Sequence, residues 1–371
     1  MTTTVVNRIF NFSAGPAVLP LPVLEQMQRE LIALPGVGMS VLEISHRSGT
    51  FESILAEAEA DIRALAEVPS NYHIVFLQGG ASTQFSMVPM NLLDPGTTAD
   101  YVDTGSWSDK AIKEAKKIGS VRVAASTKQA GTVGYVRVPA ASELSLTPGA
   151  AYVHVTSNNT IEGTQFQSTP DVGDAPLISD SSSDILSRPI DVSRHALIYA
   201  GAQKNLGPAG VTLVIVRDDV LERSRAKKAT LPSMLNYAIH ADNRSLYNTP
   251  PTFAVYGVGL VAKWLRAQGG LAAVGKANEQ KATRLYGEVD RSGFYRGTAD
   301  KDSRSLMNIT FRLATEELEK LFVKEATAAG LDGLKGHRSV GGIRASLYNA
   351  FPAAGVDALV TFMRDFERRQ G

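Results

Sequence analysis

Short apolar runs that end in small or polar residues recur along the chain. His73-Ile74-Val75-Phe76-Leu77 stops at Gly79-Gly80, and Leu177-Ile178-Ser179-Asp180 stops at Ser181-Ser182-Ser183. Ala196 to Gly201 and Val211 to Val216 repeat the pattern. Each run predicts a buried strand. Between them lie helical spacings: Phe51, Ile54, Leu55 and Ala58 follow the i, i+3, i+4, i+7 rule behind Thr50, a candidate cap. This alternation predicts an α/β architecture with a largely parallel sheet, whose strand ends are where such folds place their ligands.

The texture changes after about residue 260. Met307 to Leu313 and Gly342 to Tyr348 predict strands, and Val356, Leu359, Val360 and Met363 predict a final amphipathic helix. Thr315 is placed to cap a helix with Leu318, Leu321 and Phe322 inward, with Glu316 and Glu317 at its positive end. A chain of 371 residues exceeds the roughly 250–300 at which one core stops growing. The expected division is a large domain over 14–262 and a smaller α/β domain over 263–371. The N-terminal segment 1–13 is expected to pack on the smaller one.

Composition narrows the chemistry. There is no Cys, which excludes disulfides, thiolate metal sites and a Cys nucleophile, and no metal site is expected. Lys+Arg number 38 against 37 Asp+Glu, so nothing supports a nucleic-acid surface. No run approaches the ~18 apolar residues of a membrane span, and Met1 to Phe10 lacks the features of a signal peptide. The expectation is a cytoplasmic protein without membrane or nucleic-acid partners.

Lys204 lies just past a strand in the small-residue stretch Tyr199-Ala200-Gly201-Ala202-Gln203-Lys204-Asn205-Leu206-Gly207-Pro208. A solvated loop lysine is one reading. The other is an amine at the floor of a cleft, where desolvation eases loss of its proton and makes it a Schiff-base nucleophile. Asp180 ends the preceding strand, so the two side chains can face one cleft. A buried carboxylate needs a partner, and a pyridinium nitrogen is a suitable one. Capping of a following helix is the alternative role.

Gly79-Gly80-Ala81-Ser82-Thr83 stands at a strand-to-helix turn, where backbone amides can cradle a phosphate or simply make a tight turn. Gly257-Val258-Gly259 matches a dinucleotide fingerprint only formally, because no strand precedes it. Trp107 follows the strand Asp100-Tyr101-Val102 and can stack on a flat ring or fill a core. His46-Arg47, His337-Arg338 and Arg344 offer forked contacts to carboxylate or phosphate, or decorate the surface.

Taken together, these segments resemble the class V pyridoxal-phosphate-dependent aminotransferases of fold type I. The resemblance runs through Asn11-Phe12-Ser13-Ala14-Gly15-Pro16, His46-Arg47, Gly79 to Phe85, Gly105-Ser106-Trp107-Ser108 and Asn158 to Gly163. It continues through Asp180 to Pro189, Gly201 to Gly210, Leu246 to Pro251 and His337 to Ala350. It implies a large domain with a mainly parallel seven-stranded sheet flanked by helices. The implied cofactor is pyridoxal 5'-phosphate. Within the family the match is to the phosphoserine-forming branch: reversible transamination of 3-phosphohydroxypyruvate with L-glutamate to O-phospho-L-serine and 2-oxoglutarate. A related reaction on 4-phosphohydroxythreonine in pyridoxine biosynthesis is a further expectation. Another fold-type I aminotransferase of a small dianionic acid, or a non-catalytic binder of the cofactor, is the alternative.

By that resemblance Lys204 forms the Schiff base and carries the proton, and Asp180 pairs with the ring nitrogen. Trp107 stacks on the ring and Thr160 bonds its phenolic oxygen. Ala81, Ser82 and Gln203 hold the phosphate, completed by Asn248 and Thr249 of a second subunit, so a homodimer with shared sites is implied. Arg344 takes the substrate α-carboxylate. His46 and Arg47, with His337 and Arg338 from the partner chain, take the distal anion. Some family members have Arg at the place of Ser82 and Ser at the place of Ala14, which removes one contact each.

Overall fold

The computed structural model describes residues 8–129 and 134–371. Its central sheet has seven strands. From one edge to the other they are Tyr72–Leu77, Thr212–Arg217, Leu197–Gly201, Leu177–Asp180, Val153–Thr156, Thr98–Asp103 and Ser120–Ser126. Thr212–Arg217 runs antiparallel to both neighbours, and all other pairs are parallel. The sheet is therefore mainly parallel, as the alternation implied.

Successive side chains of a strand point to opposite faces. Leu213 and Ile215 accordingly enter one core, with Ile74, Phe76, Ile198 and Ala200, under the helices Gly49–Leu65 and Thr252–Ala267. Val214 and Val216 enter the other, with Val75, Leu77 and Tyr199, under Gly80–Leu92, Ser106–Ala115 and Asp218–Ala226. Gly257 and Gly259 lie inside a helix. A Cβ at Gly259 would stand 3.2 Å from that of Ala58, and one at Gly257 2.7 Å from Pro208 Cδ. These glycines serve close helix packing and bind no dinucleotide.

A separate core gathers Phe12, Tyr295, Ile309, Phe311, Phe322, Ile343 and Phe366 around a three-stranded sheet of Arg296–Gly297, Asn308–Arg312 and Ile343–Ser346. The helix Gly270–Val289 begins in the first core through Leu271 and Val274 and ends in this one through Ala282, Leu285 and Val289. The strand Phe10–Asn11 pairs with Leu331–Asp332. Residues 1–7 of the expected N-terminal segment lie outside the described residues.

Two caps contrast. Thr315 Oγ1 accepts from Leu318 N at 3.3 Å, as expected. Thr50 does not cap its helix: Ser48 Oγ accepts from Phe51 N at 3.3 Å, so the helix starts one residue earlier than Thr50. Both residue types suit the role, and Ser48 alone has the extended backbone it requires. Among the described residues no helix is long and apolar enough to cross a membrane.

Candidate active site

Parallel strands bring Thr156, Asp180 and Gly201 to the same edge of the sheet. The turn after Gly201 is held tightly: Ala202 O accepts from Leu206 N and Gly207 N, and Asn205 Nδ2 donates to Ser183 O. The N-terminal segment closes over it. Ala17 N donates to Gln203 O at 2.9 Å, and a Cβ on Gly15 would lie only 3.3 Å from Lys204 Cγ. With φ at +144° as well, Gly15 lets the backbone approach the lysine stem.

Lys204 Nζ donates to Thr160 Oγ1 at 2.6 Å. Burial brings the amine down to about 8, with Arg344 adding to that effect and the Asp180 and Asp184 charges opposing it. Asp180 is 4% exposed. Its Oδ1 accepts from Ser182 N at 3.0 Å and Ser182 Oγ at 2.6 Å, while Oδ2 accepts from no donor among the described residues. Burial raises its pKa, with the Ser182 hydroxyl and the Lys204 charge pulling the other way. The Asx-type contact to Ser182 replaces the helix cap that was the alternative role for this residue.

Trp107 stands at the start of Ser106–Ala115, its ring centroid 5.7 Å from Lys204 Nζ. Its Nε1 is buried with no partner. Helix Gly80–Leu92 begins behind Gly79, which is left-handed at φ +89° and supplies no side-chain cap. The first amides, including those of Ala81 and Ser82, are left without a capping side chain, an arrangement that favours an anion. Gln203 is half-buried and folds its side chain toward Gly201.

Arg344 reaches the site from the strand Ile343–Ser346. Its Nη1 donates to Thr160 O at 3.3 Å and its Nε is buried without a partner. His337 lies on the loop between Lys335 and Gly342, where its Nδ1 bonds Ser339 Oγ at 2.7 Å. Partial burial lowers its pKa, and the charges of Arg344, Arg338 and Lys110 lower it further. Those are residues of the same chain. The loop that carries His337 and Arg338 folds back beside Arg344, pivoting on Gly341 at φ +69° and Gly342 at φ +72°.

His46 and Arg47 are not brought to this group. They precede the helix Gly49–Leu65, with His46 Nε2 buried and unpartnered and Arg47 exposed. Asn248 and Thr249 make no hydrogen bond to Lys204. The Thr249 carbonyl accepts from Gln78 Nε2 at 3.3 Å, and the Thr249 side chain is exposed.

Sequence reasoning missed two buried carboxylates. Asp184 accepts from Ser157 Oγ and from Gln165 Nε2 at 3.0 Å, and Glu162 accepts from Ser106. An acid four residues after Asp180 was a visible signal for Asp184; Glu162 had none, because its partner is 56 residues away.

The model of the aminotransferase class-V family matches residues 9–359. A phosphoserine aminotransferase of Desulfatibacillum aliphaticivorans is 56% identical over 98% of this chain and 99% of its own. The structure of phosphoserine aminotransferase from Bacillus circulans subsp. alkalophilus superposes with a TM-score of 0.94 at 55% identity, covering 98% of this chain and 99% of that one. A pyridoxal-phosphate-bound phosphoserine aminotransferase from Trichomonas vaginalis gives a TM-score of 0.91 at 41% identity, covering 96% and 100%.

Proposed function

Since the chain belongs to the class-V aminotransferase family, we propose that it interconverts 3-phosphohydroxypyruvate and L-glutamate with O-phospho-L-serine and 2-oxoglutarate. It is a pyridoxal-phosphate-dependent transaminase. Four features fit the cofactor: a buried amine, a buried carboxylate with one free oxygen, an unpartnered indole N–H beside them, and an uncapped helix start. When bound, pyridoxal phosphate supplies an electron sink for the charge left as the substrate Cα loses its proton.

The protein's part is to hold and to move a proton. Lys204 Nζ would tether the cofactor and, as a neutral amine, would take the Cα proton; its lowered pKa suits that work near neutral pH. Asp180 Oδ2 would hold the ring nitrogen in its protonated form. Trp107 would stack on the ring, Thr160 Oγ1 would bond the phenolic oxygen, and Gln203 with the amides of Ala81 and Ser82 would hold the phosphate. Arg344 takes the α-carboxylate through two parallel hydrogen bonds. His337 and Arg338 take the distal anion. Both substrates carry negative groups at the two ends of a short chain, so one pocket serves both.

The remaining residues support a homodimer. His46-Arg47 and Asn248-Thr249 are anion-binding types that make no hydrogen bond to Lys204, Asp180 or Arg344 of their own chain. A two-fold partner would supply them to the neighbouring site. The division at 14–262 and 263–371 belongs to the same proposal: Lys204, Asp180 and Trp107 sit on one unit, His337, Arg338 and Arg344 on the other.

The convergence of Lys204 and Asp180 at one strand edge carries this reading. The test is a visible spectrum of purified protein before and after glutamate, followed by amino acceptors with and without a phosphate. A glutamate-induced shift and a strong preference for the phosphorylated acceptor are expected. Absence of a shift identifies a non-catalytic binder, and indifference to the phosphate identifies a different transaminase.

A further inference from the structure

The reading above gives Glu162 no task, yet it lies at the junction of the site's parts. It is 5% exposed. Its Oε1 accepts from Ser106 N at 2.8 Å and Ser106 Oγ at 2.6 Å, at the first turn of the helix that presents Trp107. Its Oε2 is buried with no partner. Gly105, the cap residue of that helix, has no side chain to close the turn. A Cβ there would stand 2.8 Å from Glu162 Oε2 and 2.5 Å from Asn159 Oδ1, so the carboxylate packs directly on the helix start. A negative group at this end is favoured by the helix dipole and by the free amides.

The same residue reaches the other side of the site. Glu162 O accepts from Thr310 Oγ1 at 3.0 Å, and Thr310 pairs with Arg344 across the small sheet. Two residues earlier, Thr160 contacts both Lys204 Nζ and Arg344 Nη1. Arg344 and Glu162 feel each other's charge.

We infer that Glu162 is a positioning residue whose carboxylate fixes the helix start carrying Trp107 and at the same time offsets the charge of Arg344. The inference rests on the roles proposed for Trp107 and Arg344. One residue thus links the helix start carrying Trp107, through its carboxylate, to the strand beside Arg344, through its carbonyl.

Two variants separate the two tasks. Glu162→Gln keeps an oxygen for Ser106 and removes the charge. It is expected to leave Trp107 in place and to lower the KM for glutamate by roughly threefold to tenfold with kcat retained, because Arg344 loses a competing anion. Glu162→Ala removes the cap. In a Trp264→Phe background, where Trp107 is the sole remaining indole of the two in the chain, its emission in cofactor-free protein should shift to the red. The dissociation constant for pyridoxal phosphate should rise about tenfold. Unchanged emission and affinity in Glu162→Ala, or a lowered melting temperature in Glu162→Gln with the KM for glutamate unaltered, overturns the proposal. If the unaltered protein binds no pyridoxal phosphate, the functional reading fails, while the emission of cofactor-free Glu162→Ala still decides whether Glu162 holds Trp107.

Discussion

Lys204 Nζ and Thr160 Oγ1 meet at 2.6 Å across 44 residues of sequence, with the threonine accepting and the amine donating. The carbonyl of the same threonine accepts from Arg344, so one residue contacts both the amine and the guanidinium. Thr160→Val keeps the branched shape and removes the acceptor. A hydrogen bond to a charged group is worth about 1.5–3 kcal/mol, so transamination should slow by roughly tenfold or more with the fold intact. Steady-state rates together with circular dichroism check this, and a rate equal to that of the unaltered protein would separate Thr160 from the chemistry.

The lowered pKa of Lys204 makes a statement about stability. Its ordinary value is 10.5 and burial brings it to about 8. Between those values the unfolded chain binds a proton that the folded chain does not, so stability rises with pH across this window. Below about 8 the folded state bears the full cost of burying the charge, and above 10.5 the cost is gone. Thermal melts of cofactor-free protein should show this climb relative to Lys204→Met. The comparison also removes the contribution of Lys281, a second buried amine that is lowered to about 7. Parallel curves for the two proteins would show that Lys204 is not desolvated.

Asp180 is expected to act on the reaction and little on the fold. Asp180→Asn retains an oxygen for Ser182 and loses the negative charge that holds a ring nitrogen cationic. By analogy with the loss of one preorganised electrostatic contact, kcat should fall by about 10²–10³-fold. Pyridoxal phosphate should still bind through the helix start and Lys204. Single-turnover absorbance with glutamate measures the loss, and a fall of less than about threefold would remove Asp180 from this role.

Much of this site was legible because local chemistry announces it. Strands Leu177–Asp180 and Leu197–Gly201 end where their apolar runs meet small residues, which puts Asp180 and Lys204 on one edge. The Gly79 turn was readable for the same reason, since a left-handed residue before a helix favours glycine. Contacts between distant segments left no trace. Nothing in the spacing of Thr160, Glu162, Ser106 and Arg344 shows that they touch. The direction of the loop bearing His337 was also hidden. It depends on how Gly341 and Gly342 turn the backbone ahead of Arg344.

The proposed homodimer can be tested by asking which residues act on the same site as Lys204 from the same chain. His337 answers to Arg344 and Lys110 of its own chain, whereas His46 and Arg47 stand apart from them. In a mixture of Lys204→Ala and Arg47→Ala subunits, a mixed dimer holds one site with an intact Lys204 from one chain and an intact Arg47 from the other. Random pairing should then restore roughly a quarter of the normal sites. Lys204→Ala mixed with Arg338→Ala should restore none if, as the position of the His337 loop beside Arg344 suggests, Lys204 and Arg338 serve the same site from the same chain. Activity of the mixtures after co-refolding measures both. Recovery in the Arg338 mixture and none in the Arg47 mixture would return His337 and Arg338 to the partner's side.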